Sequence, residues 1–255
     1  MAVIASLHDM KPGEDSRSAP RVHPPAWTLE QITNFWDNYQ SIPHFQTRWF
    51  SLTCGPGIVD FADRHIGKQG LVLDYGCGRG DLMELLLADG RRCVGVDGSP
   101  QNVRKTQSRF EGRSGFLSAF QTPNPKLPAQ PDTAFVVEVI EHMPRAVAAD
   151  FLRGIGALLP AGAHILVSCP NKEDIAAAEV LCPECGCCFH PVQHMQSLAP
   201  TDVAALANEA GFDTVFAGAT RFRRRGESRL YNALAVAWYT LIGRLPHLVF
   251  VGRKR

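Results

Sequence analysis

The chain has 255 residues, 45% of them hydrophobic and 20% charged, and a formal net charge of +1. That is ordinary composition for one globular domain with a core of its own, and a charge this close to zero argues against a protein that coats a polyanion. No apolar run approaches the roughly 18 residues that span a bilayer, and the start, with His8, Asp9 and Lys11 close behind it, lacks the pattern of a secretory signal. A cytoplasmic location is therefore expected.

Residues 1–25 mix Pro, Gly, Ser and charge without periodicity, the makeup of a flexible tail. Residues 26–65 form an aromatic, amphipathic segment (Trp27, Phe35, Trp36, Tyr39, Phe45, Trp49, Phe50) in which Thr28 is placed to cap a helix; it reads as a helical lid or packing segment. From residue 66 to 255 short apolar runs alternate with helical stretches. Strands are expected over 71–74, 92–97, weakly 115–118, then 133–139 and 163–168, with helices over 81–88 and about 146–159. A helix opened by Pro200-Thr201 and closed by Gly211, a strand over 213–217 and a strand over 247–251 complete the chain. Such alternation makes an α/β domain whose mostly parallel sheet is covered by helices on both faces, with a Cys/His insertion at 172–198 and a basic, amphipathic one at 221–246.

Asp74-Tyr75-Gly76-Cys77-Gly78-Arg79-Gly80 places three glycines at a strand-to-helix switch, where missing side chains let a ligand approach the backbone. The spacing is G-x-G-x-G, and the third glycine that a dinucleotide fingerprint needs is replaced by Asp81, which disfavours NAD. Asp97, twenty-three residues after Asp74, ends the second strand, where a carboxylate can accept from both hydroxyls of a ribose. Asp74 itself would complement a cation and repel a pyrophosphate. S-adenosylmethionine has that cation. These residues resemble the first motif and the ribose-binding acid of the class I S-adenosylmethionine-dependent methyltransferases, and the resemblance runs from about residue 71 to the C-terminus. It implies a Rossmann-like seven-stranded sheet with an antiparallel last strand, and cofactor contacts from Asp74, Gly76, Cys77, Gly78, Gly80, Asp97, Gly98 and Glu138. The third strand offers Ser118-Ala119-Phe120 where that family often has an acid for the adenine amine, so the adenine contacts stay open.

Glu138-Val139-Ile140-Glu141-His142-Met143 follows the fourth strand, beyond whose carboxyl end a ligand of an open parallel sheet sits. Methyl transfer to a hydroxyl requires alignment and removal of a proton; His142, or Glu141, is the expected base, with His194 as a further candidate. The alternative is that His142 caps backbone groups of the next helix. The segment resembles that of quinone-pathway O-methyltransferases, and also the Glu-x-x-Glu-His of small-RNA 2′-O-methyltransferases, which bind a divalent metal through two acids, this His and a later one. That second resemblance implies Glu138, Glu141 and His142, with His190 or His194 as partner.

Eight cysteines in a chain of this length without an export signal do not suggest a disulfide framework. Cys54, Cys77, Cys93 and Cys169 read as small buried hydrophobes. Cys182-Pro183-Glu184-Cys185-Gly186-Cys187-Cys188-Phe189-His190, followed by His194, has the C-x2-C spacing of a zinc knuckle. The preferred ligands are Cys182, Cys185, His190 and His194; Cys187 and Cys188 are substitutes, and a metal-free reduced cluster is the alternative. Some bacterial class I methyltransferases carry a similar insertion, which implies a structured loop on the substrate side. In the second insertion Arg221-Phe222-Arg223-Arg224-Arg225 precedes an apolar, aromatic helix, which leaves peripheral membrane contact or a phosphate clamp open beside simple packing on its own domain.

The expected function is methyl transfer from S-adenosylmethionine to an oxygen of a small-molecule, sugar or lipid-linked acceptor, with zinc as a second cofactor. A metal-dependent RNA 2′-O-methyltransferase is the alternative, although nucleic acid is not favoured as a partner. A non-catalytic zinc-bearing interaction module is a third reading, which the intact glycine turn and Asp97 oppose.

Overall fold

The computed structural model describes residues 22–25, 27–47, 49–123 and 125–255, so the expected tail lies outside the described residues up to position 21. Its last part departs from expectation. The His23 amide donates to the Gly186 carbonyl at 3.1 Å and the Cys188 amide to the His23 carbonyl at 2.8 Å, so residues 22–25 are pinned to the Cys/His insertion. Trp27 adds an edge-on contact to Phe189 at 5.7 Å.

α1 (Leu29–Tyr39) begins where the Thr28 hydroxyl accepts from the Gln31 amide and the Gln31 side chain accepts from the Thr28 amide. α2 (Phe50–Ile66) packs rather than covers: Cys54, Ile58, Phe61 and Ala62 bury one face of it against the sheet, so this half of the segment belongs to the core. The strands are β1 (Leu71–Tyr75), β2 (Arg92–Asp97), β3 (Phe116–Gln121), β4 (Thr133–Val137), β5 (His164–Pro170), β8 (Phe212–Thr220) and β9 (His247–Lys254). They form one seven-stranded sheet in the order β3-β2-β1-β4-β5-β9-β8, parallel except that β9 runs antiparallel to both neighbours.

Alternation within the strands divides the core in two. Leu71, Leu73, Val94, Val96, Val136 and Val167 pack under α5 (Arg145–Ala157) and α7 (Pro200–Glu209). Val72, Cys93, Phe135 and Leu166 pack under α2 and α3 (Asp81–Ala88). Cys54, Cys77, Cys93 and Cys169 are all buried and free. α4 (Pro100–Phe110) has no counterpart among the expected elements, because most of its side chains are polar; the signal that marks it is Ser99-Pro100, where the Ser99 hydroxyl accepts from the Asn102 amide. The strand order reverses between β1 and β4, and it is at the carboxyl ends there that such a sheet opens a ligand crevice.

Two insertions stand on that same edge. Between β5 and α7 lie α6 (Ile175–Ala178) and a hairpin of β6 (Val180–Leu181) with β7 (Cys188–Phe189). Between β8 and β9 lies α8 (Arg229–Leu241). Among the described residues no helix is long and apolar enough to cross a membrane.

Candidate active site

The turn after β1 is built as the glycines require: Gly76, Gly78 and Gly80 all have positive φ. A Cβ on Gly76 would stand 2.3 Å from Val139 Cγ2, so the turn presses directly on the segment after β4. The Gly76 and Cys77 amides donate to the Val96 carbonyl at 2.7 and 3.1 Å, which ties the turn to β2. At the end of β2 the Asp97 carboxylate accepts from the Gly78 amide at 2.8 Å, the Ser99 amide at 2.8 Å and Asn102 Nδ2 at 3.1 Å. Three bonds on a group with about four acceptor positions leave room for a ribose hydroxyl. Burial raises its pKa, and those three hydrogen bonds only partly offset the effect. Gly98, beside it, has only Thr122 Oγ1 at 3.7 Å near the place of a Cβ.

Asp74 is buried, and its Oδ2 has no hydrogen-bond partner. Burial, reinforced by Asp97 and Asp81, lifts its pKa to about 7. An orphaned buried carboxylate against a glycine turn suits a cationic nucleoside and opposes a pyrophosphate, so the residues present fit S-adenosylmethionine.

Over this turn lies α1. The Ser99 hydroxyl bonds Asp37 and lies 3.5 Å from Gln40 Nε2, while Trp49 lies 3.4 Å from the place of a Cβ on Gly78. Trp36 stands between Trp49, at 6.0 Å, and His142, at 4.8 Å edge-on. One aromatic bridge therefore joins the cofactor turn to the reacting end.

At the reacting end, β4 closes with Glu138 at φ 54, and a short 3-10 turn (Ile140–His142) presents Glu141 and His142. The Ser168 hydroxyl donates to Glu138 Oε1 at 3.1 Å. Glu141 is 1% exposed, and neither carboxylate oxygen has a hydrogen-bond partner. Burial, with Glu138 adding to it, holds its pKa well above the carboxylate range. The segment returning from the hairpin is stitched to this turn: the Met195 amide donates to the Glu141 carbonyl at 2.8 Å, and Gln196 Nε2 donates to the carbonyls of Ile140 and Met143 at 2.8 and 2.9 Å. That brings His194 to His142, ring to ring at 4.9 Å.

Donor atoms of Glu141, His142 and His194 lie within 4.8 Å of one another, as do those of Glu173, His190 and His194. The hydrogen bonds decide which nitrogens are free. His142 Nδ1 donates to the Gln193 carbonyl at 3.4 Å and His194 Nδ1 to Glu173 Oε2 at 2.5 Å, so each keeps its Nε2 lone pair. His190 Nδ1 accepts from the Val192 and His194 amides at 3.4 and 3.3 Å, which leaves its Nε2 as the donor toward Glu173 Oε1 at 3.5 Å. Glu173 and His190 thus orient His194, and the free donors converge from Glu141, His142 and His194. Two imidazoles and a carboxylate with orphaned oxygens fit a borderline divalent cation such as zinc.

Three expectations need correction here. The set Cys182, Cys185, His190 and His194 is not assembled: among the described residues no cysteine joins a group of three donors with the histidines, because the β6–β7 hairpin gathers Cys182 and Cys185 with the expected substitutes Cys187 and Cys188 at its tip while the histidines follow its second strand back to the sheet. Glu138 is held by Ser168 and stays outside the Glu141, His142, His194 group. His142 does not titrate near neutrality; burial, then His194, pushes its pKa down to about 3 and leaves a neutral ring suited to ligation. Glu173 and Gln193 carry no motif and were not singled out by sequence, whereas Trp36 belongs to the aromatic segment expected to cover the site. One structural signal marks the neighbourhood: among the described residues the non-glycine residues with positive φ are Glu138, Lys172 and Gln193, all around this cluster, where strain of about 1–3 kcal/mol each is held by the surrounding bonds.

A family profile described as a methyltransferase domain matches residues 48–216. No curated protein matches the sequence. The fold is similar to that of the 1,6-didemethyltoxoflavin-N1-methyltransferase of Burkholderia thailandensis, solved with its substrate and S-adenosylhomocysteine (20% identity, 95% of this chain and 97% of that one, TM-score 0.58). It is similar also to an S-adenosylmethionine-dependent methyltransferase from Clostridium acetobutylicum (9% identity, 85% and 99%, TM-score 0.59) and to the [4+2]-cyclase SpnF (15% identity, 92% and 98%, TM-score 0.61). The match over most of the chain, on this fold, makes the protein a member of the class I S-adenosylmethionine-dependent methyltransferase family.

Proposed function

We propose that the protein transfers a methyl group from S-adenosylmethionine to a hydroxyl oxygen of a small-molecule, sugar or lipid-linked acceptor. The observation that carries this reading is Glu141: a buried carboxylate with both oxygens orphaned, grouped with His142 and His194 at the carboxyl edge of β4. Burial holds this carboxyl neutral on its own, and a cation beside it would satisfy it and favour the ionised form. When bound, S-adenosylmethionine supplies an already activated methyl, and a divalent cation supplies Lewis-acid polarisation that eases loss of a hydroxyl proton.

The chain's own residues do the rest. Asp74 offers its charge to the cationic cofactor, Asp97 accepts from the ribose, and the side-chain-free turn gives the cofactor its path along the backbone. Glu141, His142 and His194 would hold a divalent cation, and the Glu141 oxygen not engaged by it would take the hydroxyl proton as the methyl leaves the sulfonium and S-adenosylhomocysteine is released. Glu173 and His190 fix the ring of His194. Trp36 and Trp49 act as a lid that excludes water from the transfer. Zinc bound by the cysteines of the hairpin tip is not part of this reading.

The same group favours a second reading, in which the acceptor is the 2′-hydroxyl of RNA. The test is tritiated methyl transfer to panels of hydroxylated small molecules, glycosides and polyprenyl-linked sugars, beside RNA ending in a ribose or a 2′-deoxyribose. Activity on the first group that falls with chelation and with Glu141→Gln supports the proposal. Activity confined to ribose-ended RNA moves it to the second reading. A folded protein that binds no S-adenosylmethionine, and for which Asp97→Ala changes nothing, gives the fold to an interaction module instead.

A further inference from the structure

α8 is a helix of 13 residues with no buried residue, although its neighbours bury theirs. Leu230, Tyr231, Leu234, Trp238, Leu241 and Ile242 are exposed, and at 100° per residue they fall within an arc of about 120°. Leu230, Leu234 and Leu241 are 72, 65 and 79% exposed, far more than a packed helix face tolerates. The opposite side faces the domain: Asn232 accepts from Arg221 at 2.6 Å, and Ala233 and Val236 line a cavity of about 610 Å³ whose other wall includes Phe61 and Phe222. The apolar arc therefore points outward by construction.

The charge left without a partner around it has one sign. From Ser228 to Arg255 the sequence holds no Asp or Glu. Arg224, Arg225 and Arg244 are exposed and form no ion pair among the described residues, and Arg229, 86% exposed, reaches only Asp60 at 3.6 Å. Glu227, the acid nearest the helix start, is already held by Arg221 at 2.5 Å. Aromatic and aliphatic side chains flanked by unpaired arginines are complementary to a surface that is apolar beneath and anionic above. A second copy docking through this face would bring its own arginines against these, at a repulsive cost.

We propose that α8 docks the protein on the surface of a bilayer containing anionic phospholipid, with the apolar arc in the acyl boundary and Arg224, Arg225, Arg229 and Arg244 on the head groups. The insertion leaves β8 after Thr220 and re-enters β9 at His247, which pairs with Pro170 at the carboxyl end of β5. The docking does not depend on which acceptor is methylated.

The test is flotation of the full chain with vesicles of phosphatidylcholine alone or with about one third phosphatidylglycerol, the anionic fraction being the one on which each arginine acts. The expected result is binding to the anionic vesicles at least about tenfold stronger than to neutral ones, weakened by salt. Leu234→Glu with Trp238→Glu should abolish it, and Arg224→Glu with Arg225→Glu should remove the preference for anionic lipid. Unchanged melting and S-adenosylmethionine binding in both variants show that the fold is intact. A folded wild-type chain that ignores both vesicles, variants that bind as well as wild type, or a dimer dissolved by Leu234→Glu without vesicle binding would each overturn the proposal.

Discussion

Replacing Glu141 by leucine removes a carboxyl that is 1% exposed and has no hydrogen-bond partner on either oxygen. An unsatisfied buried polar group costs about 1–3 kcal/mol, and a side chain of similar size without polar atoms is relieved of it. The substitution should therefore stabilise the metal-free protein by about 1–3 kcal/mol, against the usual sign for a buried position, at about 2–4 °C in Tm per kcal/mol for a chain of this size. Glu141→Gln keeps the volume and the unsatisfied polarity, so its metal-free Tm should stay close to wild type. Zinc at about 100 times its Kd should raise the wild-type stability by about 2.7 kcal/mol and leave both variants almost unmoved. The assay is thermal melting of chelator-treated protein, with and without added metal, alongside metal content by emission spectroscopy. A leucine variant that melts below wild type when both are metal-free, or that keeps its metal, would refute the reasoning.

Asp74, with its pKa lifted to about 7, keeps in the folded state a proton that the unfolded chain releases near its ordinary value of 3.8. Stability should therefore fall as pH rises from about 4 to 7, by up to about 4 kcal/mol, and Asp74→Asn should flatten that slope in urea titrations. A cationic ligand favours the charged form, so calorimetry at about pH 6 in buffers of different ionisation enthalpy should detect proton release on S-adenosylmethionine binding, absent in Asp74→Asn. Trp36→Ala opens the aromatic bridge to His142 and should raise KM more than it lowers kcat; an unchanged KM in steady-state kinetics would remove the lid from the account. Cys182→Ser with Cys185→Ser should leave metal content and transfer activity unchanged, because the free Nε2 atoms of His142 and His194 converge with Glu141 instead; loss of the metal would return the site to the knuckle.

Local rules carried a large part of the fold. The alternation of apolar runs with helical stretches gives every strand of the seven-stranded sheet, and Gly76, Gly78, Gly80 and Asp97 meet in the structure as their spacing requires. Such features are local, since a turn of positive φ or a strand end depends on a few adjacent residues. α4 escaped because helices over a polar surface announce themselves only by their caps, here Ser99-Pro100. The antiparallel pairing of β9 is a choice among distant partners, and it came from family likeness alone.

The ligand groups show why spacing misleads when chain reversal intervenes. Cys182 and Cys185 are three positions apart and His190 and His194 four, which looks like one knuckle in sequence. Two residues of hairpin strand on each side, β6 and β7, are enough to separate the tip from the base. At the base, Gln193 at φ 58 and the bonds from Met195 and Gln196 turn the chain back onto the segment after β4, so that His194 meets Glu141 and His142 from more than fifty positions away. No periodicity encodes that meeting. Its cost is visible instead in three left-handed non-glycine residues and two orphaned carboxylate oxygens gathered at one place. A protein holds strain and unsatisfied buried polar groups together where something else completes the site, and on the proposed function that would be a cation and an acceptor.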